Sequence, residues 1–328
     1  MNKYINKGLV LIFTAVAVVA VMTSCIFADE KVDLRLRLEK GQSYKIRTVQ
    51  DMKIIQTNEG KQQTSTSKIV VEQIYDIEEV ASDGNTWVKI TYHSTSVKDS
   101  SQKEGEPMVW EEYDSSNPPN VIPHDALGLA ALAGQSYSIM VSPQGHIKDM
   151  KGIESVQSIL IEKIPAANAG EFGLNELVKE QINKEALNEL MENKFAVYSD
   201  EPVGIGDSWQ KKTSISQCSI SNLFPQIVDT IYTLKERKDG IAIIDVFSLI
   251  QPNFETKPIE VGKEKKIQLK LSGDSAGTIE LEESTGWAIR SIQNIKLNGQ
   301  VIIQGTDVPQ GMVTVPISIV GTITTEPY

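Results

Sequence analysis

The chain has 328 residues, enough for one large domain or two of ordinary size, and 40% hydrophobic with 23% charged residues marks it as globular rather than disordered. Asp and Glu outnumber Lys and Arg by 43 to 32, a net charge of −11 at pH 7. That field opposes nucleic acid and anionic membrane surfaces, and there is no basic stripe with interleaved aromatics, so a nucleic-acid role is set aside.

Residues 1–28 read as an export signal: Lys3 and Lys7 form a positive n-region, and 9–22 is an apolar run of h-region length. Three fates stand for it. Met22-Thr23-Ser24-Cys25 resembles a bacterial lipobox, with methionine in place of the usual leucine. Cys25 would then carry lipid and anchor the protein to a membrane. Alternatively, signal peptidase cuts after Ala28, or residues 8–28 stay as an uncleaved anchor just long enough to span a bilayer. By resemblance to enterobacterial lipoproteins, Ile26 lacks the aspartate that retains such proteins at the inner membrane. The expected address is the bacterial cell envelope, on the periplasmic side of a membrane or at the outer membrane, or else outside the cell. Cys218, in an alternating stretch, is read as a small structural side chain, and no disulfide framework is expected.

Along the mature chain, Leu34-Arg35-Leu36-Arg37-Leu38 alternates as a strand with leucines toward a core. A turn at 39–42 leads into a long strand whose even positions (Tyr44, Ile46, Met52, Ile54) carry the apolar weight, and 58–61 turns again. Asp83-Gly84 predicts a hairpin, 98–107 a polar loop, and Pro118-Pro119 a break. A helix is expected over 126–133, capped by Asp125 and stopped by Gly134. Strands follow at 135–141 and 147–150, then a helix over 153–164 and a small-residue linker. Asn175 caps the longest helix, with Leu177, Val178, Ile182, Leu187, Leu190 and Met191 on one stripe. The last sixty residues are strand and turn, with Asn298-Gly299 as another hairpin and Pro309 and Pro316 at an edge or in a loop.

The chain also reads as written twice. Ile74-Tyr75, then Asp83-Gly84, then a β-rich run matches Ile231-Tyr232, Asp239-Gly240 and a second such run. Gly41-Gln42-Ser43-Tyr44, Gly134-Gln135-Ser136-Tyr137 and Gly206-Asp207-Ser208-Trp209 share a glycine that closes a turn and an aromatic that starts a strand. The fold class is therefore α+β, predominantly antiparallel β. Two related halves, 29–150 and 196–328, flank a helical connector at 151–195.

The stretch 134–147, with its Val-Ser-Pro-x-Gly turn, and Gly277 to Trp287, with its late Thr-Gly, resemble a family of exported bacterial proteins of unknown function, many described as lipoproteins. The resemblance spans roughly 32–326 and implies an envelope address and a duplicated β-rich fold. It implies no activity.

No chemistry is legible. His93, His124 and His146 are scattered without metal-ligand spacing. The Gly-x-Ser-aromatic copies lack the second glycine of a nucleophile elbow, having Lys45 and Ser138 in its place in the first and second. Glu78-Glu79, Glu111-Glu112 and Glu282-Glu283 are adjacent pairs that point to opposite faces of a strand. Asp83-Gly84-Asn85 lacks the later acids of a calcium loop. Trp87, Trp110, Trp209 and Trp287 are read as packing on sheet faces. The expectation is a protein with no catalytic, cofactor or metal site. It acts as an envelope scaffold or interaction module with an unidentified protein partner, or as a carrier of an apolar or lipid ligand. A hydrolase built from dispersed carboxylates is the third reading.

Overall fold

The computed structural model describes residues 31–58, 60–123, 126–163, 184–195, 197–215, 226–252, 258–261, 265–306 and 311–328. Its strands are β1 (Ser43–Asn58), β2 (Lys61–Val80), β3 (Thr86–Lys103), β4 (Val109–Asp114), β5 (Ser136–Val141), β6 (Ile147–Lys151), β7 (Ser208–Ile215), β8 (Gln226–Lys238), β9 (Ile241–Pro252), β10 (Ile259–Val261), β11 (Lys265–Glu282), β12 (Ala288–Gly305) and β13 (Met312–Pro327). The helices are α1 (Leu127–Leu132), α2 (Ile153–Lys163) and α3 (Lys184–Phe195). All thirteen described strands belong to one sheet, ordered β6-β5-β3-β2-β1-β13-β12-β11-β9-β8-β7, with β4 on β3 and β10 on β11. Every pairing is antiparallel, and β1 meets β13 to join the two halves.

The internal match is one of register. Tyr75 lies opposite Ile90 and Ile77 opposite Val88; Tyr232 lies opposite Val246 and Leu234 opposite Ile244. Each ladder then shifts by one residue, between Ile77 and Glu79 and between Leu234 and Glu236. The hairpin tips differ: Asp239-Gly240 has φ positive at both residues, as a two-residue turn needs, whereas residues 81–85 form a longer loop.

The Gly-x-Ser-aromatic copies make the same pair of backbone bonds. Gly41 N–H donates to Ile77 O (2.9 Å) and Ile77 N–H to Gln42 O (2.9 Å). Gly206 and Leu234 repeat this at 2.7 and 3.0 Å, and Gly134 and Tyr92 at 2.7 and 2.9 Å. The glycines have φ of +88°, +89° and +81°, a conformation that costs an L-residue about 1–2 kcal/mol.

Residues 34–38 bury their leucines as the alternation predicts, but the segment forms no ladder. It runs as a strap: Val32 pairs with Val203, Leu36 N–H reaches Pro143 O and Arg37 N–H reaches Thr285 O, each at 2.8 Å. The strap and the end of α3 each cover one of two equivalent turns. A Cβ on Gly286 would meet Arg35 O at 2.3 Å, and one on Gly145 would meet Phe195 O at 2.0 Å. The glycines of the Val-Ser-Pro-x-Gly and Thr-Gly motifs are there because another segment's backbone lies on them.

Three expectations are corrected. Of the loop expected at 98–107 only 104–107 lie outside strands: β3 continues to Lys103 and pairs with β4, its polar residues bonded across strands, as in Thr66 Oγ1 to Ser100 Oγ at 2.7 Å. Asn298-Gly299 makes no hairpin but lies within β12, opposite Ser272 and Leu271. The helix expected at 126–133 is shorter, and Ala126 occupies its cap position without a side-chain bond. Pro316 falls inside β13, just past the last residue that β1 pairs, so only β12 needs its backbone there. Asp125, Asn175, Leu177, Val178, Ile182 and Pro309 lie outside the described residues.

Gly273, Gly277, Gly299 and Gly321 interrupt β11, β12 and β13 at neighbouring heights. A Cβ on Gly273, Gly277 or Gly299 would lie 1.8–1.9 Å from a carbonyl oxygen of the adjacent strand, so the backbones approach as only glycine allows. Gly299→Ala is expected to destabilise by about 1–3 kcal/mol through this overlap. Gly41→Ala, where the space is open, should cost only about 1–2 kcal/mol of backbone strain. Urea unfolding of the two variants measures both.

Candidate functional site

Because opposite residues in an antiparallel ladder share a face, the register defines two faces of the sheet. The inner face carries Tyr75, Ile90, Tyr137, Ile244 and Leu281 at one end of the long strands, under α1, α2, α3 and the strap. Further along the same face lies a second apolar cluster. Ile250, Leu269, Leu271, Leu297 and Ile317 are its buried members, with Ile54, Val228, Ile295, Val301 and Ile319 half-buried around them. These residues come from β1, β8, β9, β11, β12 and β13, each on the inward side of its strand.

Between the two clusters runs a short polar row. Lys211, Thr230, Ser248 and Ser275 lie opposite one another in β7, β8, β9 and β11. Lys211 Nζ is neutralised by Asp200 at 3.0 Å, and the Thr230 and Ser248 hydroxyls bond each other at 2.8 Å. Ser275 is 2% exposed, and its Oγ has no hydrogen-bond partner. Burying a hydroxyl without a partner is costly, so this atom stands out beside the mutually bonded Thr230 and Ser248.

A second polar feature is part of the packed end. Lys194, in the last turn of α3, leaves its stem exposed but turns its ammonium inward. Nζ donates to Gln73 Oε1 (3.2 Å) and to the Tyr75 hydroxyl, which itself donates to Gln73 Oε1 at 2.8 Å. Nζ also lies 4.7 Å from the centre of the Tyr75 ring. Burial of the ammonium lowers the Lys194 pKa to about 8, and burial raises those of Tyr75, Tyr92 and Tyr137. Beside this knot Trp287 stacks on Tyr44 (centroids 4.3 Å apart) and meets Tyr75 edge-on at 5.3 Å. Its indole N–H, like Ser275, is buried without a partner.

The other residues singled out in the sequence are not brought together. His93 falls between the paired residues Tyr92 and Ser94, where the β2–β3 ladder shifts, and faces the Tyr328 ring; His146 is exposed. Ser138 Oγ donates to Glu78 at 2.9 Å, Thr285 Oγ1 donates to Glu282 at 2.6 Å, and Arg237 grips Glu283 at 2.7 and 3.0 Å. These carboxylates therefore tie strands and turns together. The Asp83 carboxylate accepts from Asn85 N and Nδ2 within its own loop. Trp209 stacks on Tyr232 (5.6 Å), the Lys151 ammonium lies 4.0 Å from the centre of the Trp87 ring, and Trp110 is exposed on β4. No group of three metal-ligating side chains occurs among the described residues. Cys25, Cys218 and His124 lie outside them.

The interface between sheet and helices is packed, with Val156, Leu187, Met191 and Phe195 buried in one core with Tyr137 and Ile139. An open groove of about 540 Å³ lies instead on the outer face, lined by Asp51, Lys53, Asn294 and Lys296 together with Val49 and Val320. In the sequence Ser275 lies beside Asp274 between Gly273 and Gly277 with no signal that sets it apart, and its burial depends on strand pairing.

The architecture is that of a large antiparallel sheet with helices over one end of one face. A family model described as a family of unknown function, DUF6263, matches residues 83–288, and the chain belongs to that family. No curated protein matches the sequence. Among solved structures, lipovitellin, from a study of its lipid–protein interactions, aligns over 89% of this chain with a TM-score of 0.41 and 10% identity. The chain spans about a quarter (25%) of that lipovitellin chain. The β domain of the Bordetella autotransporter BrkA aligns over 86% of this chain and 98% of its own, at a TM-score of 0.22 and 7% identity. At these scores the likenesses carry no argument about ligand or location. No described helix is long and apolar enough to cross a membrane.

Lys194 makes stability depend on pH. Between about pH 8 and its unfolded value of 10.5 the unfolded chain holds the lysine proton while the folded chain has released it, so stability rises with pH across that window. Above pH 10 the buried tyrosines act in the opposite sense, because the folded chain keeps protons that the unfolded chain loses. Lys194→Met should abolish the rise from pH 8 and stabilise the protein at pH 7. Melting temperatures from pH 7 to 11 provide the check.

Proposed function

We propose that this protein is a non-catalytic carrier of an apolar, acyl-chain ligand in the bacterial cell envelope, held to a membrane through lipid on Cys25. The observation that carries the reading is the second apolar cluster. A sheet stabilised by helices over one end has no structural need for a further aliphatic face beyond them, yet six strands supply one. Half-buried Ile54, Val228, Ile295, Val301 and Ile319 present methyl and methylene groups suited to a hydrocarbon chain. The absence of charge on this stretch of the inner face favours a hydrocarbon over a peptide or sugar.

Purified mature protein should release lipid on organic extraction, read by mass spectrometry, and should bind the neutral dye Nile red. Ile319→Asp, on the half-buried rim of the cluster, should weaken dye binding at least about tenfold, roughly 1.4 kcal/mol. Neither lipid nor dye binding in the wild type would sink the reading.

A second reading, an interaction module, has its own observation. On the outer face Ile231, Phe247 and Leu249 are 43–48% exposed, and Ile231 lies directly opposite Phe247. The two readings use opposite faces. Phe247→Asp should therefore leave Nile red binding unchanged while lowering any self-association or partner binding seen by sedimentation.

A further inference from the structure

We infer that Ser275 Oγ is the polar anchor of the ligand, so that the chain carried here ends in an uncharged hydrogen-bonding group, such as an ester or a hydroxyl. This rests on the acyl-ligand reading and narrows it to a class of molecule.

Three observations meet at this atom. First, Ser275 is 98% buried on the face that bears the second apolar cluster, and its hydroxyl lacks a partner, whereas its neighbours in the row, Ser248 and Thr230, satisfy each other. A ligand oxygen would supply the missing bond. Second, Ser275 borders the cluster: Ile295 lies directly opposite it in β12, and the next inward positions of β9 and β12 are Ile250 and Leu297. A chain lying over Ile250, Leu271, Leu297 and Ile317 would bring its end group to the Ser275 row. The flanking inward positions on β11 are Gly273 and Gly277, which place no side chain between the hydroxyl and such a group.

Third, the surroundings are neutral. The same-face neighbours of Ser275 are Ser248, Ile295, Gly273 and Gly277, and the nearest charge in the row, Lys211, is paired with Asp200. A carboxylate or phosphate buried there would lose its hydration with no countercharge, whereas an ester carbonyl or hydroxyl needs only one hydrogen bond. A hydroxyl engaged by a charged head would also call for a basic side chain on this row free of its own partner.

The test uses three probes, each with a sixteen-carbon chain, displacing Nile red from the full mature protein: methyl palmitate, palmitate at pH 8 and hexadecane, each delivered from cyclodextrin. Methyl palmitate should bind about five- to tenfold more tightly than hexadecane, the worth of one net hydrogen bond, and more tightly than palmitate. Ser275→Ala should remove the preference for the ester and leave hexadecane binding unchanged, and Ser275→Thr should restore the preference. Removing an unpartnered hydroxyl should leave the free protein at least as stable. Should alanine not be tolerated, Ser275→Cys, similar in shape but a weak donor, is expected to show the same loss of preference. Equal binding of methyl palmitate and hexadecane to the wild type overturns the inference and leaves the acyl-ligand reading intact. So does a tighter grip on palmitate. Failure of all three probes to displace the dye, or of the dye to bind, overturns both.

Discussion

The pairing of β1 with β13 is the constraint on which the rest of this molecule depends. Eleven consecutive pairs, from Ile46 opposite Pro327 to Gln56 opposite Ile317, turn two half-sheets into one. The strands that meet are near opposite ends of the described chain, so the contact is among the most distant in sequence that the fold makes. Without it the second apolar cluster would lose continuity, since Ile54 of β1 and Ile317 and Ile319 of β13 lie on either side of the seam. Trp287 strengthens the same junction: it comes from the second half but stacks on Tyr44 and meets Tyr75 of the first half and Phe195 of α3 edge-on.

One face of the sheet thus serves two ends. At the first, the helices, the strap and a set of aromatic side chains bury the face, and polar groups such as Lys194, Gln73 and Tyr75 hydrogen-bond one another. At the second, aliphatic side chains form a cluster of their own. The glycines of β11, β12 and β13 lie around the boundary between them, where backbones approach too closely for any side chain. The residues proposed for the ligand are not those that hold the helices.

Much of the fold was legible because its signals are local. Alternation placed Tyr44, Ile46, Met52 and Ile54 on one side of β1, and the positive φ required at the Gly-x-Ser-aromatic turns has a plain chemical signature. The errors share a cause. Asn298-Gly299 has the chemistry of a tight turn, yet Gly299 is in the chain because Lys270 O comes too close for a Cβ, and a close approach and a turn demand the same residue. Residues 98–103 look like a loop because serine, lysine and aspartate are turn formers, while their neighbours in β2 and β4 turn the same hydroxyls into cross-strand bonds.

The candidate site was less legible. The proposal for Cys25 rests on a leader motif alone, and nothing in Ser275 itself marks it: it is one serine among many, and its burial and its missing partner appear only when β9, β11 and β12 are side by side. The sequence by itself determined most of the strands, the glycine-aromatic turns that open them and the recurrence of the hairpin pattern, because strand alternation and glycine turns are decided by residues a few positions apart. Tertiary structure alone decided which strands meet, where the face divides into a packed and an aliphatic end, and that the Ser275 hydroxyl is left unbonded. Those outcomes follow from contacts between residues far apart in the chain, and no local pattern encodes them.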